Sequence, residues 1–244
     1  MSRGTSRMRR QCHARLLARA VSALAIALSL TSAGCGSSRS STGMPPIGQS
    51  LGPSRGEIAA PCRALCAMGP SAAGSTRAAP AFSLKNEKGE TVTFESLRGK
   101  VVIVNLWIAI PEVLPDMPEL AKLWALVRAR KDVAFVSIAG DGLPERPKEM
   151  LRTQFGAAEH YPVLFDPTGT VAQDFGTFQF PETWIVDPGG ILRARFDGAR
   201  KWSDANVLAF IDSLRDGRFC PIEIEDGRMS GLGSDYCDAP TVTP

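Results

Sequence analysis

Residues 101–120 read VVIVNLWIAIPEVLPDMPEL, and the succession of side-chain types in this stretch frames the rest of the chain. Residues 101–106 are apolar and mostly β-branched, interrupted only by Asn105, as expected of a central strand covered on both faces. Downstream, Met117, Leu120, Leu123, Trp124 and Val127 recur at helical spacing, which predicts a helix over residues 116–129. Asp116 stands where it can cap that helix, and Pro118 falls in its first turn, where a missing N–H costs little. The connection is Ile108-Ala109-Ile110-Pro111-Glu112-Val113-Leu114-Pro115, a strand-to-helix loop without a cysteine.

Outward from this unit, the pattern continues on both sides. Phe82-Ser83-Leu84 and Thr91-Val92-Thr93-Phe94 alternate apolar with polar around Asn86-Glu87-Lys88-Gly89-Glu90, which predicts an N-terminal β-hairpin. A second buried strand is expected over residues 133–138, a helix from Leu143-Pro144 to Phe155, a short strand at Val163-Leu164-Phe165 and a short helix over residues 171–175. Residues 183–186 and 191–196 read as a hairpin joined through Asp187-Pro188-Gly189-Gly190. A last helix over residues 204–214 follows, with Ser203 as its cap. Strands and helices alternating in this order predict an α/β domain with a mixed central sheet and helices on both faces.

The ends of the chain differ in composition from this domain. Residues 1–35 carry an arginine-rich start, a short apolar run over residues 20–30 and small residues leading to Cys35. This is the layout of a bacterial lipoprotein-type signal peptide, with Cys35 as the lipidated residue and an exported, membrane-anchored protein as the result. Residues 36–78 are rich in Ser, Gly, Pro and Ala and read as a flexible tether. The domain is expected over residues 79–216, and residues 217–244 read as a C-terminal tail. The formal net charge of +3 owes much to the leading arginines and gives no reason to expect nucleic acid as a partner.

Of six cysteines, Cys12 and Cys35 belong to the leader, leaving Cys62, Cys66, Cys220 and Cys237. An exported chain meets an oxidising compartment, so two disulfides are expected. Local pairs and bonds stapling tether to tail both fit, and the spacing does not choose between them.

Two motifs in this order resemble the redoxin branch of the thioredoxin superfamily, in particular the TlpA/ResA thiol–disulfide oxidoreductases and the Sco/SenC copper-delivery proteins. One runs from Ala79-Pro80-Ala81-Phe82-Ser83-Leu84 through Leu97-Arg98-Gly99-Lys100 and residues 101–107 to Met117-Pro118-Glu119-Leu120. The other is Phe180-Pro181-Glu182-Thr183-Trp184-Ile185-Val186-Asp187-Pro188-Gly189-Gly190. The resemblance implies a thioredoxin-like fold over roughly residues 79–214 and a cis-proline at Pro181 facing the active-site loop. It also places Trp107, Pro111, Glu112 and Phe180 around that groove. Aligned to the Sco pattern, Ile110 and Leu114 occupy the positions of the two reactive cysteines. The histidine that Sco proteins carry before the penultimate strand has no counterpart within Thr177-Phe178-Gln179-Phe180.

Chemistry decides what these departures mean. Disulfide exchange needs a thiolate to attack sulfur and a second thiol to resolve the mixed disulfide. Copper wants thiolate or imidazole ligands. Ile110, Leu114 and Gln179 supply neither, so no cofactor or metal is expected at the loop, and His160 reads as an ordinary loop residue. Glu112, Asp116, Glu119 and Glu182 could form an acid–base or hard-cation cluster, but they read first as water-facing acids complementing a helix N-terminus.

Three functions follow from this reading. The first is a redox-silent envelope module that binds a protein or peptide partner through an apolar groove of Ile108, Ile110, Val113, Leu114 and Phe180. The second is a thiol–disulfide oxidoreductase using Cys62 and Cys66, whose connection to Ala79 is long enough to carry the pair over the groove beside Pro181. The third is a metal-binding protein built on Cys62, Cys66, Cys220 and Cys237.

Overall fold

The computed structural model describes residues 54–74, 76–225 and 228–237. The leader, its apolar run and Cys35 lie outside these residues. In chain order the elements are α1 (Arg55–Met68), β1 (Ala72–Ala73), β2 (Ser83–Asn86), β3 (Thr91–Thr93), β4 (Val101–Trp107), α2 (Met117–Val127) and β5 (Val133–Ala139). They continue with α3 (Glu145–Phe155), β6 (Val163–Phe165), α4 (Thr170–Phe175), β7 (Glu182–Val186), β8 (Leu192–Asp197), α5 (Ala205–Arg215), β9 (Glu223–Glu225) and β10 (Arg228–Ser230). The strands form one mixed sheet in the order β10-β9-β1-β8-β7-β4-β5-β6-β2-β3. This is the thioredoxin-like α/β architecture that the sequence motifs imply.

The centre of the sheet explains the composition of residues 101–107. Every residue of β4 is buried, because β5 pairs with it in parallel and β7 antiparallel on the other side. Val101, Ile103 and Trp107 face the core shared with α1, α2, α3 and α5, whereas Val102, Val104 and Leu106 face the core closed by Phe82, Phe94 and α4. A strand with core on both faces has no polar side to alternate with. The one polar side chain, Asn105, donates from Nδ2 to Thr183 Oγ1 of β7 at 3.0 Å.

Both boundaries of the domain move outward from the sequence expectation. Residues 55–68, read as tether, form a helix that packs on α5. Its start is a capping box, with the Ser54 side chain accepting from Glu57 N–H while the Glu57 carboxylate accepts from Ser54 N–H. Ile58, Cys62 and Leu65 then form a buried stripe at helical spacing, and Gly69 closes the helix in the left-handed conformation. Small residues and Pro61 inside the helix hide this stripe from a composition-based reading.

Residues 217–225 and 228–237 are likewise structured. β9 and β10 extend the sheet, and β9 pairs with β1. Their backbones approach so closely that a Cβ on Gly74 would run into the Ile222 carbonyl, while φ there is +81°, so glycine is required on both counts.

Two caps also differ from expectation. Asp204, not Ser203, caps α5 by accepting from Asn206 N–H at 2.9 Å. Asp116 stands at the start of α2 but makes no side-chain cap bond.

The four cysteines form Cys62–Cys220 and Cys66–Cys237, with Cα atoms 4.7 and 5.0 Å apart. Both bonds therefore join α1 to the C-terminal segment.

Candidate functional site

β4 delivers the chain to the loop at the end of the sheet where β7 begins, because Leu106 pairs with Glu182. Residues 108–115 and residues 178–181 consequently occupy the same end of the fold. The Phe180–Pro181 peptide is cis. Pro181 is buried, and its carbonyl accepts from Gly198 N–H at 2.8 Å.

The loop is held by partners that its own sequence does not announce. Ala109 N–H donates to the Asp141 carboxylate at 2.8 Å, and Arg146 donates to the Ala109 carbonyl at 3.2 Å while lying 3.5 Å from Asp141. Asp141 is buried, and its carboxyl group with the Arg146 guanidinium clamps the peptide units on both sides of Ala109. Neither residue stood out in the sequence. The available clue was the polar pair Asp141 and Arg146 following the buried strand at a loop that otherwise reads as a connector.

Pro111–Val113 then forms a single 3-10 turn, with Ile110 extended before it and Leu114 helical after it. Val113 is buried in the core, so it is not part of an exposed groove, contrary to the sequence expectation. Trp107 is buried too, its indole N–H donating to Ser137 Oγ of β5 at 2.8 Å. Ile110 and Leu114 are half-buried against the core, and Pro111 and Glu112 face solvent. Across the loop end, Phe180 is half-buried and Phe178 is 77% exposed, with the Arg195 guanidinium 5.7 Å from its ring centre. The aliphatic loop positions and the two phenylalanines leave an apolar rim at this end of the sheet.

Two of the four acids are not water-facing, which corrects the sequence reading. Asp116 is 1% exposed; its Oδ1 accepts from the Trp202 indole N–H at 2.7 Å and from Arg200 N–H at 3.1 Å, and Oδ2 has no hydrogen-bond partner. Burial, only partly offset by those two donors and the Arg200 charge, pushes its carboxyl up to about 6. The nearby Tyr161 phenol is raised as well, mainly by burial and then by Asp116.

Glu182 is fully buried beside the cis-proline. It accepts from the Trp184 indole N–H at 2.5 Å and from the Thr177 hydroxyl, with Arg195 Nε 3.9 Å away. Burial raises its carboxyl despite these donors. Glu119 does reach the surface, where it bonds Lys122 and receives both the N–H and the hydroxyl of Ser203. Lys122 and Ser203 hold it down to about 2. Glu112 is exposed on the loop. The four acids therefore do not converge, and among the described residues no group of three or more His, Cys, Asp or Glu side chains is arranged to hold a metal ion.

The cysteines complete the picture. Cys62 and Cys66 are not bonded to each other and do not hang on a tether. They sit on α1, each locked to the C-terminal segment, and Cys62 is fully buried. That arrangement removes the swinging pair, and it also consumes the four thiolates that a metal site would need. His160 bonds the Tyr161 carbonyl through Nδ1 at 2.8 Å and stacks on Phe155.

The AhpC/TSA family profile matches residues 76–195. A thiol:disulfide interchange protein DsbE from Allochromatium vinosum is 31% identical over 132 residues, 52% of this chain and 70% of that protein. This chain belongs to the thioredoxin-like AhpC/TSA redoxin family. A second relative in the same range is the thioredoxin-like protein YneN of Bacillus subtilis, 29% identical over 120 residues that cover 47% of this chain and 66% of YneN. Among solved structures, a DsbE-type thiol:disulfide interchange protein from Chlorobium tepidum superposes with a TM-score of 0.50 at 22% identity, covering 57% of this chain and 97% of that one. At that identity the superposition speaks for the fold alone. The loop of this redoxin, residues 108–115, contains no cysteine, and the cis-proline Pro181 and the buried Glu182 lie at the same end of the sheet.

Proposed function

We propose that this redoxin is an exported protein, lipid-anchored through Cys35, whose loop no longer performs thiol–disulfide exchange and instead forms an apolar docking rim for an extended segment of an envelope protein. The observation that carries the reading is the loop itself. Ile110 and Leu114 have no nucleophilic atom, and disulfide exchange has no step that an aliphatic side chain can replace. The scaffold around them is nonetheless kept in order by the Asp141–Ala109–Arg146 clamp and by the buried pairings of Asp116 and Glu182.

A rim of half-buried Ile110, Leu114 and Phe180 beside exposed Phe178 offers apolar contact area, and the adjoining loop edges offer backbone groups to an extended chain. The basic start, the short apolar run and the small residues before Cys35 support export and anchoring.

The docking reading is tested with a thiol-free unfolded polypeptide, reduced and carboxymethylated lactalbumin, titrated into the full chain while the fluorescence anisotropy of a label on the polypeptide is followed. Binding that weakens by about tenfold in a Phe178→Ser/Leu114→Ser variant is expected, since each buried apolar anchor contributes on the order of 1 kcal/mol. Equal binding by both proteins, or none by wild type, would refute the rim as a docking site.

A further inference from the structure

The two disulfides differ in access, and one guards the other. Cys62 is 0% exposed and Cys220 5%, whereas Cys66 and Cys237 are both half-buried. What closes the inner bond off is the segment ending at Cys237. Gly233 is buried directly against it; a Cβ at this position would stand 2.5 Å from Cys62 Sγ and 2.6 Å from Cys220 Sγ. The same segment is fastened to α1 by the Cys66–Cys237 bond itself, by the Tyr236 hydroxyl donating to the Arg55 carbonyl at 3.0 Å, and by Arg63 lying 5.7 Å from the Tyr236 ring centre. The last two ties are a single hydrogen bond between exposed groups and a cation over a partly exposed ring, both weak where water competes. The covalent bond is the dominant fastening of this segment to α1, while Gly233 N–H also donates to the Pro221 carbonyl at 3.2 Å, a single hydrogen bond that must open with the segment.

We propose that Cys66–Cys237 is a reducible latch that controls access to Cys62–Cys220, a redox site separate from the loop and independent of the docking function assigned to it. A dithiol reductant attacks the outer bond: its first thiolate displaces one of the two sulfurs to give a mixed disulfide, and its second thiol resolves it. Cys66 and Cys237 gain two electrons and two protons while the dithiol becomes a disulfide. With the latch open, the segment carrying Gly233 lifts from α1, and Cys62–Cys220 becomes open to a second equivalent of the same reductant. Reduction is therefore ordered, outer before inner.

The test treats the full-length oxidised protein with dithiothreitol, quenches at intervals with N-ethylmaleimide and maps each labelled cysteine by mass spectrometry. Cys66 and Cys237 are expected to label about tenfold or more ahead of Cys62 and Cys220, which should show a lag, since a buried bond reacts only through local opening. In a Cys66→Ser/Cys237→Ser variant the lag should vanish and the inner bond should reduce about tenfold faster. Simultaneous labelling of all four residues in wild type, or an inner bond reduced at the wild-type rate in a folded double variant, would overturn the latch. If the double variant does not fold, the wild-type time course decides: labelling of Cys62 and Cys220 without a lag overturns the proposal and labelling after one supports it.

Discussion

Asp116 and Trp202 meet inside the fold, the indole N–H donating to the carboxylate at 2.7 Å across a sequence separation of 86. The contact joins the start of α2 to the connection before α5 and places a carboxyl where water does not reach. Folded, this acid titrates at about 6 rather than 3.8. The folded state then holds the proton more tightly than the unfolded chain does, so this group favours folding most when it is protonated. Its contribution is lost as pH rises from about 4 through about 6, by up to about 3 kcal/mol. Asp116→Asn keeps an acceptor for Trp202 and cannot ionise. Urea unfolding at a series of pH values should show wild type losing 1–3 kcal/mol more than the variant over that range, in order of magnitude; parallel curves would mean that Asp116 is not desolvated. In the variant Glu182, raised in the same direction by burial, contributes a slope of the same sign, and Glu119, held low by Lys122 and Ser203, one of the opposite sign at the acid end, so the comparison rests on the difference between the two proteins.

The clamp on the loop makes a separate prediction. Asp141→Ala removes the acceptor of the Ala109 N–H and leaves Arg146 without its carboxylate. A cost of about 1–3 kcal/mol follows for a lost hydrogen bond to a charged group. Hydrogen exchange of the Ala109 amide should accelerate by an order of magnitude or more, with the amides of β4 unchanged. Exchange at Ala109 that matches wild type would show the loop held by something else.

The disulfides close long stretches of chain, with sequence separations of 158 and 171. Removing the inner bond as Cys62→Ser/Cys220→Ser should lower stability by about 2–5 kcal/mol, read as a fall in the urea midpoint with a slope no smaller than wild type, because the less cross-linked unfolded chain exposes more surface. A midpoint within error of wild type would mean that packing of α1 on α5 and the remaining Cys66–Cys237 bond suffice to hold that end of the fold.

How far the sequence carried is clear from particular residues. The strand β4 and helix α2 were legible because burial on both faces and a helical apolar stripe are written in side-chain type alone. The hairpins were legible for the same reason, aided by Asp187-Pro188-Gly189-Gly190 at the turn. The helix α1 was not, because Pro61 and a run of small residues imitate a linker; Ser54 and Glu57, spaced as a capping box, were the local evidence to the contrary. The strands β9 and β10 were illegible for another reason: Glu223-Ile224-Glu225 and Arg228-Met229-Ser230 each set a single apolar residue among polar ones, and what places them is the pairing of β9 with β1 and of β10 with β9.

At the site, the absence of thiols was plain in the sequence, whereas the burial of Asp116 and Glu182 depended on Trp202 and Trp184, partners that only the folded chain brings to them. Disulfide pairing was likewise undecidable from spacing, since it depends on which segments α1 touches.

The central claim is that this redoxin retains the family scaffold without exchange chemistry at the loop. The direct measurement is insulin reduction in the presence of dithiothreitol, comparing the full-length wild type with Ile110→Cys/Leu114→Cys. The account predicts a wild-type rate indistinguishable from buffer, and a rate clearly above buffer for the variant, because a thiolate at the loop supplies the missing nucleophile to an ordered scaffold. Turnover by the wild type above the buffer rate that persists in a Cys66→Ser/Cys237→Ser variant would contradict it.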